Sequence, residues 1–175
     1  MVTIRRATGA DAAALAELAE ATFRLATPAH TTDQAVAEFL RDVLAESNFA
    51  GFLADPDRVI LVAEEDGALQ GYTMLVFGDP TDADARAAIR IRPTVELSKC
   101  YLREETHGRG VAAPLMAATL DAARERGAAG SWLGVNQENG RAIRFYEKNG
   151  FVKVGVKRFL VGGQYEDDFV LERAL

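Results

Sequence analysis

Cysteine occurs once in this 175-residue chain, at Cys100, so no internal disulfide can form. Histidine is nearly as scarce. His30 and His107 stand far apart in the sequence, and with no Cys pair they give a zinc or haem site little to build on, so no metal is expected. No apolar run approaches the roughly 20 residues of a membrane span, and Met1 to Ala7 lacks the positive segment and apolar run of an export signal. A cytoplasmic protein without a membrane partner is the expectation. Basic side chains are also outnumbered, 20 Lys+Arg against 26 Asp+Glu, for a net charge of -6 and a pI near 5.0. Nucleic-acid binding needs clustered cations and is not expected, whereas an acidic surface suits a cationic partner. The chain is 49% hydrophobic and 26% charged, without repeat or linker. That is the composition of a single domain over 1–175, able to bury about two thirds of its unfolded surface.

The pattern alternates strands and helices. Val2 to Ala7 reads as a strand, and Thr8 with Asp11 as the start of a helix to about Arg24, with Ala12, Leu15, Leu18, Ala19, Thr22 and Phe23 on one face. A second helix follows the Thr31-Thr32 cap, carrying Val36, Phe39, Leu40, Val43 and Leu44, and one short turn is expected at Asn48. Arg58–Glu65 and Ala68–Phe77 form a hairpin about Asp66-Gly67. Gly78 to Pro93 is a polar loop with room for one helical turn. Thr94–Leu102 is a strand, Ala112–Arg126 a helix, Ser131–Val135 a strand and Gly140–Asn149 a helix closed by Gly150. Phe151–Leu160 and Tyr165–Leu171 are strands about Gly162-Gly163, and an exposed terminal strand of this kind offers pairing across a homodimer.

Between Leu102 and Ala112 lies REETHGRGV, where Gly108 and Gly110 free the backbone of a strand-to-helix turn. Exposed N–H groups at a helix N-terminus bind anions, and phosphate oxygens are the natural guest. Pro114 gives up only an N–H without a helical partner. A P-loop is excluded, because Val111-Ala112 stands where Lys-Ser/Thr is required. Gly108-x-Gly110-x-x-Ala113 meets a loose dinucleotide pattern, yet Arg103 to His107 separates it from its strand, and the next strand ends in Val135-Asn136 rather than a ribose-binding acid.

Downstream, Leu133-Gly134-Val135 is followed by Asn139, Ala142, Tyr146 and Gly150-Phe151, with Asn139 placed to cap a helix. Here the chain resembles the GCN5-related N-acetyltransferases, whose Gln/Arg-x-x-Gly-x-Gly/Ala motif aligns with His107-x-x-Gly110-x-Ala112. The resemblance runs through the element order of the whole chain and is most specific from Thr94 to Phe151. It implies a mixed, mostly antiparallel α/β sheet flanked by helices, with strands Thr94–Leu102 and Ser131–Val135 splayed into a cofactor cleft. Acetyl-CoA is the implied cosubstrate, held by Leu102, His107, Gly108, Arg109, Gly110, Val111, Ala112, Asn139 and Tyr146. His107 departs from the family's Gln or Arg, but a backbone grip on pyrophosphate asks only for its N–H and for small residues at Gly108, Gly110 and Ala112.

The resemblance also makes Tyr146 the donor of a proton to the departing CoA thiolate, a role suited to a positioned phenol. An amine acceptor must shed a proton before attack. Glu96 is the candidate base, in the strand before the glycine loop where the resemblance implies a glutamate base in some family members, on a face shared by alternation with Ser98 and Cys100. For Cys100, an inert buried thiol is expected rather than an acetyl-enzyme. Arg103, Arg109, Arg141 and Lys148 are the cations available to the phosphates. Thr22-Phe23, Phe39-Leu40, Trp132 to Val135 and Ala142 to Tyr146 are similar to bacterial spermidine/spermine acetyltransferases. A polyamine would require carboxylates along its channel, and Asp33, Glu38, Asp42, Asp79, Asp82 and Asp84 are the acids considered. The expectation is therefore direct acetyl transfer to the primary amine of a small molecule. A protein N-terminus or lysine as acceptor, or a catalytically silent acyl-CoA-binding domain, are the alternatives.

Overall fold

The computed structural model describes residues 1–175. Strand β1 (Thr3–Arg6) leads through a 3₁₀ turn at Gly9–Asp11 into helices α1 (Ala12–Ala26), α2 (Asp33–Val43) and α3 (Glu46–Ala54). The hairpin β2 (Arg58–Glu65) and β3 (Ala68–Phe77) follows, then α4 (Ala83–Ala88), β4 (Thr94–Leu102), a 3₁₀ turn at Glu104–Thr106 and α5 (Ala112–Glu125). The chain closes with β5 (Gly130–Asn136), α6 (Gly140–Lys148), β6 (Val152–Val161) and β7 (Gln164–Ala174). No helix is long and apolar enough to cross a membrane.

Local chemistry accounts for the joints. Asp66 and Gly67 take φ of 52° and 79°, the left-handed pair that matches the twist of a two-residue hairpin. Thr32 Oγ1 accepts from the Ala35 N–H at 3.1 Å and starts α2. The expected short turn at Asn48 is a nine-residue helix. Asn48 Oδ1 accepts from the Ala45 N–H, and the single buried side chain Phe49 anchors the helix, leaving no apolar stripe to announce it.

The seven strands form one sheet in the order β1-β2-β3-β4-β5-β7-β6. All pairings are antiparallel except β4 with β5, which are parallel and matched only at Thr94–Gly130, Val95–Ser131 and Glu96–Trp132. Beyond Glu96 the two strands have no paired residues, and the mixed, mostly antiparallel sheet opens there. One apolar core joins the sheet to α5 and α6 through Leu97, Leu115, Met116, Leu133 and Phe151. A second joins its other face to α1, α2 and α3 through Leu15, Leu18, Phe23, Phe49 and Tyr72.

A bulge in β4 alters the predicted facing. Leu75 is opposite Leu97 and Met74 opposite Lys99, so Ser98 is the extra residue. Val95 and Leu97 belong to the core beneath α5, and so do Cys100 and Leu102 after the bulge. Tyr101 packs on the opposite face with α1. Glu96 therefore shares its face with Lys99 and Tyr101, not with Cys100, because one inserted residue reverses the alternation.

Candidate active site

The turn before α5 carries an anion cradle. Gly108 and Gly110 take φ of 81° and 78°, a left-handed backbone that turns successive N–H groups outward. The N–H groups of Gly108, Gly110, Val111, Ala112 and Ala113 find no acceptor in the protein, and no side chain caps α5. These free donors and the helix dipole favour an anion. Along this turn lies a cavity of about 480 Å³, lined by Leu102, His107, Gly108, Gly110, Val111, Ala112, Asn139, Arg141 and Tyr146, among others. Burial, and then Arg141, lowers the His107 pKa, so its imidazole is neutral near pH 7, and its buried Nδ1 has no partner.

A second cavity of about 170 Å³ lies against β5, β6 and β7. Ala26, Cys100, Tyr101, Asn139, Ala142 and Tyr146 line both spaces, which adjoin where β4 and β5 diverge. Asn139 Oδ1 accepts from the Ala142 N–H at 3.2 Å and starts α6, setting Ala142 and Tyr146 one turn apart on the inner face. Tyr146 stacks edge-on against Phe151. Burial raises its hydroxyl well above the usual phenol range, with Cys100 and Tyr101 adding to the shift, so it keeps its proton at neutral pH. Burial likewise pushes the Cys100 thiol up to about 12, against a smaller opposing effect of Tyr146. That is the state of an inert thiol rather than a nucleophile.

The smaller cavity has an aromatic wall and a charged floor. Phe23 stacks on Phe39 with centroids 4.6 Å apart, and Phe159 meets Phe39 edge-on. Glu96, Lys99, Lys157, Glu166 and Asp168 supply the charges. Burial raises Glu96, with Lys99 as the leading opposing influence, and lowers Lys99 to about 8. Asp168 is pushed up to about 6 by burial, against the pull of Lys157, whose Nζ lies 3.9 Å away. Gly134 makes room for this pair, since a Cβ there would stand 3.1 Å from Asp168 Oδ2 and 3.3 Å from Lys157 Cε.

The sequence over residues 14–151 matches the model of the acetyltransferase (GNAT) family. The chain belongs to the GNAT acetyltransferase family. An uncharacterized N-acetyltransferase of Mycobacterium tuberculosis is 44% identical over 165 residues, covering 94% of this chain and 98% of the relative. The L-amino acid N-acyltransferase MnaT of Escherichia coli is 32% identical over 152 residues, 86% of this chain and 80% of its own. Among solved structures, the PaiA N-acetyltransferase of Thermoplasma acidophilum in complex with coenzyme A has a TM-score of 0.79 at 20% identity, covering 100% of this chain and 99% of that one. The Salmonella typhimurium protein YncA with its cofactor acetyl-CoA has a TM-score of 0.73 at 25% identity, covering 100% of this chain and 94% of that one.

Within this GNAT fold, the residues singled out from sequence fall into two groups. Leu102, His107, Gly108, Gly110, Val111, Ala112, Asn139 and Tyr146 line the larger cavity, and Glu96 lines the smaller. Arg109 does not line it, because its side chain turns back to Glu65 at 3.2 Å. Arg103 is held by the Leu69 carbonyl and Glu17. None of the six acids considered for a polyamine channel lines either cavity. Asp33 pairs with Arg24, Asp42 with Arg41 and Asp79 with Arg92, while Asp82 caps α4. The acids present instead are Glu96, Glu166 and Asp168 in the smaller cavity and Glu104 in the larger. The two from β7 sit in the run Glu166-Asp167-Asp168, which is expected from sequence to lie on a strand and to which no role is assigned there. Sequence separation did not reveal one juxtaposition, that of His30, Glu138 and Glu166, whose donor atoms lie within 4.8 Å of one another.

Proposed function

We propose that this acetyltransferase moves acetyl from acetyl-CoA to the primary amine of a small molecule by direct attack within a ternary complex. The meeting of two cavities at Cys100, Tyr101, Ala142 and Tyr146 carries the reading. The larger, with its free N–H cradle, suits the pyrophosphate and pantetheine of CoA, and two similar structures contain CoA or acetyl-CoA. The smaller space, about 170 Å³, suits a short amine better than a folded protein surface. The amine nitrogen attacks the thioester carbonyl, and the C–S bond breaks as the Tyr146 hydroxyl gives its proton to the departing thiolate. The proton lost by the amine passes to Glu96, directly or through water. An acetyl-Cys100 intermediate is disfavoured by the raised pKa of its thiol.

Glu96 and Asp168 support a positively charged acceptor, and a polyamine is the extended form of that reading. A second reading, an amine that also bears a carboxylate, is favoured by Lys99. This half-buried cation lines the smaller cavity, lies 5.7 Å from the centre of the Phe52 ring and forms no ion pair within 4.0 Å. The 32% identical relative is named for L-amino acids. The edge position of β6, with Val152, Val156 and Leu160 exposed, supports a homodimer through that strand.

Tyr146→Phe tests the reading, because it deletes one hydroxyl and keeps the ring. Turnover with the best amine from a panel of spermidine, a monoamine and an L-amino acid should fall on the order of 10²-fold. Acetyl-CoA affinity by calorimetry should be nearly unchanged. Wild-type turnover in a folded variant would return Tyr146 to the core.

A further inference from the structure

The bulge at Ser98 brings Glu96 and Lys99, three positions apart, to one face of β4, where unbroken alternation would turn them to opposite faces. Both are half-buried and line the smaller cavity. Burial is the main influence on each, and the charge of the other is the next, yet the two form no ion pair within 4.0 Å. The other charges nearby are committed. Asp168 lies 3.9 Å from Lys157, and Glu166 accepts from Thr31 Oγ1 at 2.7 Å and meets the His30 ring at 2.9 Å. Arg58, the second cation near Lys99, donates to Asp55 at 3.0 Å. Lys99 Nζ has only the Phe52 ring, at 5.7 Å. One unpaired acid and one unpaired cation therefore remain side by side, in a cavity walled by Phe23, Phe39 and Phe159.

We propose that the acceptor is an α-amino acid with an apolar side chain, its carboxylate held by Lys99 and its amine by Glu96. The proposal rests on the acetyl-transfer reading above and names the substrate class of that site. A charged group withdrawn from water is costly until it is paired. A monoamine or a polyamine would pair Glu96 alone, leaving Lys99 unpaired beside a like charge. A zwitterion carries both signs on one carbon and pairs both side chains, with charge-assisted hydrogen bonds at each end. Its ammonium gives up its proton at Glu96 and the nitrogen attacks the thioester as described above. The carboxylate at Lys99 fixes the direction of that nitrogen and takes part in no bond change. The third substituent meets the aromatic wall. Phe23 stacked on Phe39, with Phe159 edge-on, offers no hydrogen-bonding group, so a polar side-chain end would go unsatisfied there. Lys99 is thus the residue that separates an amino acid from its decarboxylated amine.

The test compares kcat/KM for L-leucine, isopentylamine, L-glutamine and spermidine, at saturating acetyl-CoA, in wild type, Lys99→Met and Lys99→Arg. L-Leucine should lead in wild type. Its advantage over isopentylamine, which lacks only the carboxylate, should fall about 10- to 100-fold in Lys99→Met, the range for deleting a hydrogen bond to a charged group. Lys99→Arg should restore part of that advantage, which loss of a merely structural side chain would not change in the first place. Acetyl-CoA affinity checks that each variant is folded. Calorimetry of L-leucine into the CoA-loaded protein gives a readout that needs no turnover. Lys99-dependent binding in a protein that releases no CoA with any amine would count against acetyl transfer while supporting the amino-acid pocket. Equal use of L-leucine and isopentylamine by wild type, a lead for spermidine, or an equal loss with acid and amine in Lys99→Met would overturn the proposal. A lead for L-glutamine would overturn its apolar side chain.

Discussion

In the proposed reaction the candidate acceptors of the amine's proton are two carboxylates, half-buried Glu96 on β4 and buried Asp168 on β7. Burial raises both, and Asp168, at about 6, is able to accept a proton near neutral pH. Glu96→Gln should remove the acidic limb of the pH-rate profile that belongs to this base, compared on one substrate in both proteins. If the limb survives there and disappears in Asp168→Asn, the role moves to β7. Asp168 also makes a stability prediction. Its folded pKa, about 6, lies above the ordinary Asp value of about 3.9, so the folded state binds the proton more tightly, and the stability this confers declines as pH rises from about 4 to about 6. Melting temperatures of Asp168→Asn relative to wild type should therefore shift in the variant's favour across that window and level off above it. Parallel melting curves would mean the carboxyl titrates as if exposed. Glu96 was legible as a candidate because it precedes the glycine turn on its strand. Asp168 was not, because only the β6–β7 register opposite Lys157 and the missing side chain of Gly134 bury it.

At the scale of elements, the sequence exposed those joints whose chemistry is local. Asp66-Gly67, the Thr32 cap and the Asn139 cap each depend on residues within four positions, and the structure has all three. The bulge at Ser98 carries no glycine or proline to mark it, and its effect on which face Glu96 shares arises only from pairing with β3. The glycine turn into α5 is the element whose chemistry was plainest. Gly110→Asp places a β-carbon where φ is 78° and a negative charge beside the free N–H groups, although the Cβ itself would meet no protein atom within 4 Å. Acetyl-CoA affinity should fall at least about tenfold, a loss of about 1.4 kcal/mol, with Gly110→Ala falling less because it adds only the backbone strain. Unchanged calorimetric affinity in a folded Gly110→Asp protein would remove the phosphates from this turn.

Across the whole molecule, the decisive feature is the short parallel contact of β4 with β5, matched at only three positions before the strands part. The cavities adjoin at this split and share Tyr146, which is the basis of the proposal that two ligands meet there without a covalent enzyme intermediate. Strand order and the site's composition follow from long-range pairing, which is why the sequence conveyed the presence of a cofactor turn more clearly than the acids of the acceptor pocket. Initial rates of CoA release, measured while acetyl-CoA and the best amine are varied together, test this account most directly. Amine-dependent release with intersecting double-reciprocal lines is the predicted result, since both substrates must be bound before acetyl moves. Parallel lines, or acetyl-CoA binding with no amine in a broad panel supporting release, would contradict it.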